Sequence, residues 1–171
     1  MEIAADMKAD ARDRFAELLQ RHRGLVFKVA NSYARDPEDR ADLAQEIAAQ
    51  LWRAWGSYDP GRPLATWMYR IALNVGISHL RGRSRRDAHH VPLDDSLQDI
   101  GFDTGADHEA GQALQRLQQV IARLEPLDRA LMLLYLDERS QRDIADILGI
   151  GESNVSTKIA RLKQRIRNHL T

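Results

Sequence analysis

The sequence predicts an all-α protein of two small helical domains joined by a flexible acidic linker, the second containing a helix-turn-helix. Apolar residues recur at helical spacing on both sides of a central stretch. That stretch, Ser84 to Gly111, is acidic and has no such periodicity. Near the C terminus, Gly149 and Gly151 separate two short periodic segments. The predicted domains are therefore residues 1–86 and 112–171, with residues 87–111 as the linker.

The charge of the chain is balanced overall but segregated along it. The 171 residues include 25 Lys or Arg and 25 Asp or Glu, so the whole molecule is not a general polyanion binder. The run Arg81 to Arg86 is basic, whereas Asp87 to Gln112 holds seven acids and no Lys or Arg. The absence of cysteine excludes disulfides and thiol chemistry. With no signal peptide or membrane-length apolar run, we expect a soluble, cytoplasmic protein that does not associate with membranes.

Two helices are predicted at the start of the chain. The first covers Ala11 to Tyr33 and is expected to break at Gly24. After a turn at Asp36-Pro37, the second covers Ala41 to Trp55. Its predicted inward residues are Leu43, Ile47, Leu51 and Ala54. Its outer face, here called the acidic face, carries Asp42, Gln45, Glu46, Ala49 and Arg53, flanked by Trp52. An acidic surface beside a partly exposed tryptophan suits a protein partner, although an ordinary solvated face fits the periodicity equally well.

A loop rich in glycine and proline, residues 56–63, precedes the next predicted helix, which runs from Trp67 to about Arg83 with Thr66 as its cap. Between its two apolar faces lies a narrow stripe, here called the Trp67 stripe: Trp67, Arg70, Asn74, Ser78 and Arg81. Aromatic, amide and guanidinium groups in a row suit single-stranded nucleic acid, because bases stack on rings and phosphates meet arginine. The alternative is a core tryptophan with one hydrogen-bonded asparagine.

The second domain begins with two predicted helices, Ala113 to Leu124 and Leu127 to Leu136, separated at Pro126. The latter is strongly apolar and is expected to pack under the helix-turn-helix. The linker holds His89, His90 and His108, but without cysteine or helical histidine spacing we expect no metal site and no cofactor.

The helix-turn-helix is predicted between Ser140 and Leu170. Ser140 and Asp143 form a capping-box pattern, Gly149 ends the first helix, and Gly151 caps a second helix from Glu152. The apolar side of the first helix holds Ile144, Ala145 and Leu148, and the second helix buries Val155, Ile159, Leu162 and Ile166. The outer side of the second helix, here called the recognition strip, holds Asn154, Thr157, Lys158, Arg161 and Arg165, with Lys163 and Arg167 on the far flank. From Ser153 onward there are five Lys or Arg and no acid, which favours DNA binding in the major groove over a helical hairpin with a solvated charged face.

Signatures of enzymes are missing from the sequence. It has no phosphate-cradling glycine loop, no nucleophile elbow and no metal-ligand cluster, so we expect no catalytic residues. Two other functions fit the sequence less well. An ordinary helix-turn-helix repressor or activator is disfavoured by the Trp67 stripe and the acidic linker, and an enzyme of nucleic-acid metabolism would need a catalytic constellation that the sequence lacks.

Both halves of the chain, in this order, resemble the extracytoplasmic-function (ECF) group of bacterial RNA polymerase sigma factors. Asp42-Leu43-Ala44-Gln45-Glu46 with Trp52 is similar to the DLxQE…W helix of that family. Thr66-Trp67-Met68-Tyr69-Arg70-Ile71-Ala72 with Asn74 is similar to its TWLYRIAxN pattern. In the second half, Leu124 to Leu136, Asp143-Ile144-Ala145 and Val155 with Arg161 are similar to its promoter-reading helix-turn-helix.

The resemblance implies a role for each predicted surface. The first domain would bind core polymerase through Asp42, Leu43, Gln45, Glu46 and Trp52. It would melt the minus-ten element with the loop Ser57 to Ala65 and with Trp67, Arg70, Asn74 and Arg81. The second domain would read the minus-thirty-five element with Asn154, Thr157, Lys158, Arg161 and Arg165. The implied partners are core RNA polymerase (β′ clamp helices and β flap), promoter DNA and, as a further candidate, an anti-sigma factor. Gly151, Gln141 and Arg142 depart from the family pattern near DNA-facing surfaces, which leaves the promoter preference open.

Overall fold

The computed structural model describes residues 2–87 and 108–170, which form eight α-helices, one 3-10 turn at Trp55–Ser57 and no strands. The helices are α1 Glu2–Arg21, α2 Arg23–Tyr33, α3 Pro37–Ala54, α4 Leu64–Asp87, α5 His108–Ala122, α6 Pro126–Leu136, α7 Gln141–Leu148 and α8 Glu152–Leu170. The all-α prediction is confirmed. Contacts divide the chain into two compact units, Met1–Gly76 and Ile77–Thr171, with the boundary inside α4. The boundaries proposed from the sequence, at residues 86 and 111, stay a prediction. No helix within 2–87 or 108–170 is both long and apolar enough to cross a membrane.

The core of the N-terminal unit forms where α2 packs on α3 and α4. The buried residues of α2 and α3 are Leu25, Val26, Val29, Ala30, Tyr33, Leu43, Ile47 and Leu51. Those of α4 are Met68, Tyr69, Ala72 and Leu73. The inward face predicted for α3 is thus confirmed at three positions, while Ala54 is only half-buried.

A close approach of α4 to α2 depends on Gly76. A Cβ atom at this position would lie 2.9 Å from Cδ2 of Tyr33 and 3.3 Å from Cγ1 of Val29. Both side chains are buried and closely packed, so neither has room to move away. Glycine is therefore required here for contact between helices rather than for a turn, and the sequence patterns had not singled it out.

Several helix starts differ from the predictions, including those of α1 at Glu2 rather than Ala11 and of α5 at His108 rather than Ala113. The chain leaves helical geometry at His22 (φ −108°, ψ 18°) rather than at Gly24, because an exposed helical glycine costs only about 1 kcal/mol and Leu25 and Val26 are buried beside it. Helix α3 begins at Pro37, with the Asp39 amide donating to Asp36 Oδ1 (2.7 Å). Helix α4 begins at Leu64, so Thr66 lies inside its first turn and is not the cap.

Both ends of the aperiodic stretch Ser84 to Gly111 are helical. Residues 84–87 continue α4, and residues 108–111 belong to α5. The lack of apolar periodicity in these residues therefore did not prevent them from joining α4 and α5. The remainder of the predicted linker, with His89 and His90, lies outside the described residues.

The C-terminal unit is organised around α6, which packs against α5, α7 and α8. Its buried residues Ala130, Leu131, Met132, Leu133 and Leu134 confirm that this apolar helix lies under the helix-turn-helix. Pro126 is the first residue of α6, while α5 has already ended at Ala122. Leu114 of α5 is 43% exposed.

Arg129 is a buried charged residue in the middle of this core, only 7% exposed. Its Nη2 atom donates to the carbonyl oxygens of Ala122 and Leu124 (3.2 Å for the latter), where α5 ends. Carbonyls in the last turn of a helix have no partner within the helix, and a cation is favourable there. Arg129 therefore joins the end of α5 to α6.

We expect Arg129→Met to lower the free energy of unfolding by about 1–2 kcal/mol, because methionine preserves most of the packing but leaves two carbonyls without this donor. The measurement is urea unfolding of the full chain followed by circular dichroism. Arg123→Met, a change at an exposed arginine of the same connection, is the control. Equal stability of the two variants would show that the Arg129 hydrogen bonds contribute little.

Candidate DNA-binding and partner surfaces

The turn between α7 and α8 has the geometry of a helix-turn-helix. The Asp143 amide donates to Ser140 Oγ (3.0 Å), which caps α7. Gly149 adopts the left-handed conformation (φ 68°, ψ 35°), where glycine has no Cβ penalty. Its amide and that of Ile150 both donate to the Ala145 carbonyl, at 2.9 and 3.2 Å. The predicted cap, stop and turn are confirmed.

The buried and outer sides of α8 are those predicted. Val155, Ile159, Leu162 and Ile166 are all buried. In the recognition strip, Asn154, Thr157, Arg161 and Arg165 are exposed and Lys158 is half-buried. The buried face of α8 packs against α6 and α7, so the position of the helix that carries the recognition strip is fixed.

Two basic residues of α8 already contact side chains of α6: Arg165, at the C-terminal end of this strip, and Lys163, on the far flank. Arg165 Nη1 lies 3.5 Å from Asp128 Oδ2, so its guanidinium leans toward the start of α6. Lys163 Nζ lies 5.2 Å from the centre of the Tyr135 ring. Arg161 and Lys158 are thus the cations nearest the middle of the strip, whereas Arg165 sits at its edge.

The acidic face of α3 is exposed at Asp42, Gln45, Glu46 and Arg53. Trp52 beside it is 43% exposed, which is unusual for so large an apolar side chain. Gln50 Nε2 donates to Glu46 Oε1 (3.0 Å) within the helix. Leu43 requires a correction: it is 1% exposed and belongs to the core, so it supports the helix and offers no surface to a partner.

The residues of the Trp67 stripe differ in solvent exposure. Arg70, Asn74, Ser78 and Arg81 are exposed along α4, but Trp67 is half-buried. The Trp67 ring lies 5.0 Å from that of Tyr58 and 6.1 Å from that of Trp55. The alternative of a core tryptophan is therefore partly right, whereas Asn74 is exposed and not part of the core.

Trp67 belongs to an aromatic cluster that the sequence patterns did not predict. Its members are Phe15, Trp52, Trp55, Tyr58 and Trp67. Phe15 of α1 contacts both Trp52 (5.1 Å) and Trp55 (5.7 Å). Aromatic pairs at such distances add stabilisation beyond their buried area. The cluster was invisible in the sequence because its members come from four segments with no common period.

Within residues 2–87 and 108–170, no three His, Asp or Glu side chains lie close enough to hold a metal ion. The surfaces that stand out are instead the acidic face, the Trp67 stripe and the recognition strip.

Comparison with known families assigns both halves of the chain. Residues 18–86 match the family model of Sigma-70 region 2, and residues 114–166 match that of Sigma-70 region 4. The chain is 27% identical to the ECF RNA polymerase sigma factor SigW of Bacillus subtilis, over 96% of this chain and 92% of the relative. It is 29% identical to the ECF sigma factor SigM of Mycobacterium tuberculosis, over 96% and 81%. This chain is an ECF sigma factor.

Solved structures support the fold of this sigma factor. It superposes with a TM-score of 0.73 on the sigma factor RpoE from Bartonella quintana, at 21% identity over 92% of this chain and 96% of the other. RpoE was solved in complex with the anti-sigma factor NepR. The TM-score for CnrH, solved in complex with the cytosolic domain of CnrY, is 0.67 at 22% identity, over 95% and 93%.

The sigma factor is thus a non-enzymatic initiation factor. It directs promoter-specific transcription initiation through the DNA contacts of regions 2 and 4, and its partners are core RNA polymerase and promoter DNA.

Proposed function

We propose that three surfaces of this sigma factor each bind a different partner or promoter element during initiation. The acidic face of α3 binds the β′ clamp helices of core polymerase, the Trp67 stripe and its adjoining loop open the minus-ten element, and the recognition strip of α8 reads the minus-thirty-five element. The observation that carries this proposal is that the polar members of all three sets are exposed or half-buried, on helices whose opposite faces are buried.

The chemistry of each surface suits its proposed partner. Arg161 and Lys158 are cations that can donate to base edges or phosphates in the major groove. On α4, Arg70 and Arg81 can follow a strand's phosphates, while Asn74 can donate to or accept from a base. Glu46 and Asp42 supply negative charge beside the apolar Trp52, a combination suited to a basic protein surface with an apolar centre.

The cellular setting follows from these partners. Because core polymerase and promoter DNA are found in the bacterial cytoplasm, we infer that this sigma factor works there. We also propose that an anti-sigma factor controls it, since the related RpoE binds such a protein. Such an inhibitor would have to cover at least one of the three surfaces.

The proposal predicts that specific promoter binding requires core polymerase. Neither basic patch is large, and the acidic segment from Asp87 to Gln112 repels DNA, so the free protein should bind promoter and random DNA almost equally. A gel shift at fixed salt should compare free protein, core enzyme and holoenzyme, followed by in vitro transcription. Tight sequence-specific binding by the free protein would instead indicate an autonomous repressor or activator.

Arg70→Ala should reduce opening of the minus-ten element by about fivefold, because one exposed cation that follows the displaced strand is removed. Permanganate reactivity of promoter thymines in complexes formed with the holoenzyme is the measurement. Arg12→Ala, which removes the same charge from an exposed position on α1, is the control. Normal thymine reactivity with normal transcription in the Arg70 variant would rule out this role for the stripe.

A further inference from the structure

The loop between the 3-10 turn and α4, residues 58–63, has internal hydrogen bonds although its tip is exposed. The Gly61 amide donates to Asp59 Oδ1 (2.9 Å), and the Arg62 amide donates to the Asp59 carbonyl (3.0 Å). Residues 59–63 are all exposed, so burial does not hold this tip in one conformation. Its order comes from these hydrogen bonds, from the ion pair between Arg62 Nε and Asp59 Oδ2 (3.9 Å) and from its connection to the aromatic cluster beneath it.

Tyr58 makes that connection. Its ring stacks on Trp55 (5.7 Å between centres, 11° between planes) and tilts against Trp67 (5.0 Å, 48°). Its hydroxyl donates to the Arg62 carbonyl (2.9 Å), at the other end of the loop. One side chain thus joins the aromatic cluster to the far side of the exposed tip.

We propose that Tyr58 is a positioning residue that orders the loop before promoter DNA arrives. The inference rests on the proposed role of the loop in holding the displaced strand. A flexible loop must lose conformational entropy when it captures a strand, and this loss weakens capture. A loop that Tyr58 already holds loses less, so strand capture by the holoenzyme is stronger and faster.

A purely structural role for Tyr58 makes a different prediction. The ring fills space between Trp55 and Trp67, and its removal in Tyr58→Ala would destabilise the N-terminal unit whatever the loop does. Tyr58→Phe retains the ring and removes only the hydroxyl that bonds to Arg62. Because that hydrogen bond is exposed, water can partly replace the lost donor, and the thermal midpoint should fall by no more than about 2 °C.

The test uses the full-length chain and its holoenzyme with Tyr58→Phe. Ser32→Ala is the control, since Ser32 Oγ donates to a carbonyl in another exposed hydrogen bond (2.8 Å) on α2. Backbone NMR relaxation of the free protein should show increased nanosecond motion at the Gly61 and Arg62 amides of the Tyr58 variant alone. Binding of the holoenzyme to a single-stranded minus-ten oligonucleotide, and permanganate reactivity on duplex promoter, should both fall by about threefold.

Two results would overturn the inference. Unchanged relaxation at Gly61 and Arg62 would show that the hydroxyl does not order the loop. Increased motion with unchanged strand binding and opening would show that loop order is not used. Arg70→Ala is measured in parallel, because Arg70 lies on α4 outside the loop. If Arg70→Ala reduces opening while Tyr58→Phe does not, the inference about Tyr58 is wrong but the proposed function stands. If Arg70→Ala also has no effect, the displaced strand lies elsewhere.

Discussion

Glu46→Lys should weaken the binding of this sigma factor to core polymerase by about 30-fold or more while leaving it folded. Reversal of a charge within a complementary interface typically costs about 2–5 kcal/mol, through lost attraction and new repulsion. Glu46 is exposed, and its hydrogen bond with Gln50 lies on the helix surface, so the core contacts of α3 remain intact. Titration of labelled core enzyme with the variant gives the affinity directly.

The control for this experiment is Glu17→Lys, which makes the same charge change at an exposed position of α1. It should bind core enzyme about as well as the unchanged protein, since exposed substitutions outside an interface have small effects. Circular dichroism of both variants verifies the fold. Undiminished binding of Glu46→Lys would mean that polymerase contacts another face.

Arg161→Ala should lower holoenzyme affinity for a promoter with a minus-thirty-five element by about 1–3 kcal/mol, if the guanidinium contacts a base. The side chain points away from the buried face of α8, so stability should change little. Affinity is measured on promoters that carry each single substitution in the element. Loss of discrimination at one base pair identifies a base contact, whereas a uniform loss with a smaller salt dependence identifies a phosphate contact.

Arg167→Ala is the matched control, because it removes the same charge from the far flank of the same helix. Arg167 is exposed and lies within 3.3 Å of Gln164 Oε1, away from the recognition strip. An effect equal to that of Arg161→Ala would show that overall charge, rather than the position of the strip, determines promoter affinity.

Helices were predictable because their signals are local. The four buried residues of α8, the Ser140 cap and the Gly149 stop each depend on neighbours within a few positions, and all three were found. Helix boundaries were less predictable, as the break at His22 and the start of α4 at Leu64 show. The motif-based partner list failed at Leu43, because a family motif mixes residues that support a helix with residues that face a partner.

Contacts between distant segments could not be found from periodicity. Gly76 looked like an ordinary helical glycine until its approach to Tyr33 was known. The sequence patterns gave no role to Arg129, whose guanidinium donates to the carbonyls at the end of the preceding helix. The aromatic cluster, which includes Tyr58, was not predicted either, because its rings come from segments that are far apart in the sequence.

The aromatic cluster also gives the protein a built-in optical reporter. All three tryptophans of the chain, Trp52, Trp55 and Trp67, belong to it, so intrinsic tryptophan emission arises entirely from the N-terminal unit. Trp52, exposed at the acidic face, should become less accessible to a soluble quencher when that face is covered, whereas the half-buried Trp55 and Trp67 should respond to changes in the adjoining loop. Unfolding confined to the C-terminal unit would leave no direct trace in this signal, and a tyrosine or far-ultraviolet readout is required to follow it.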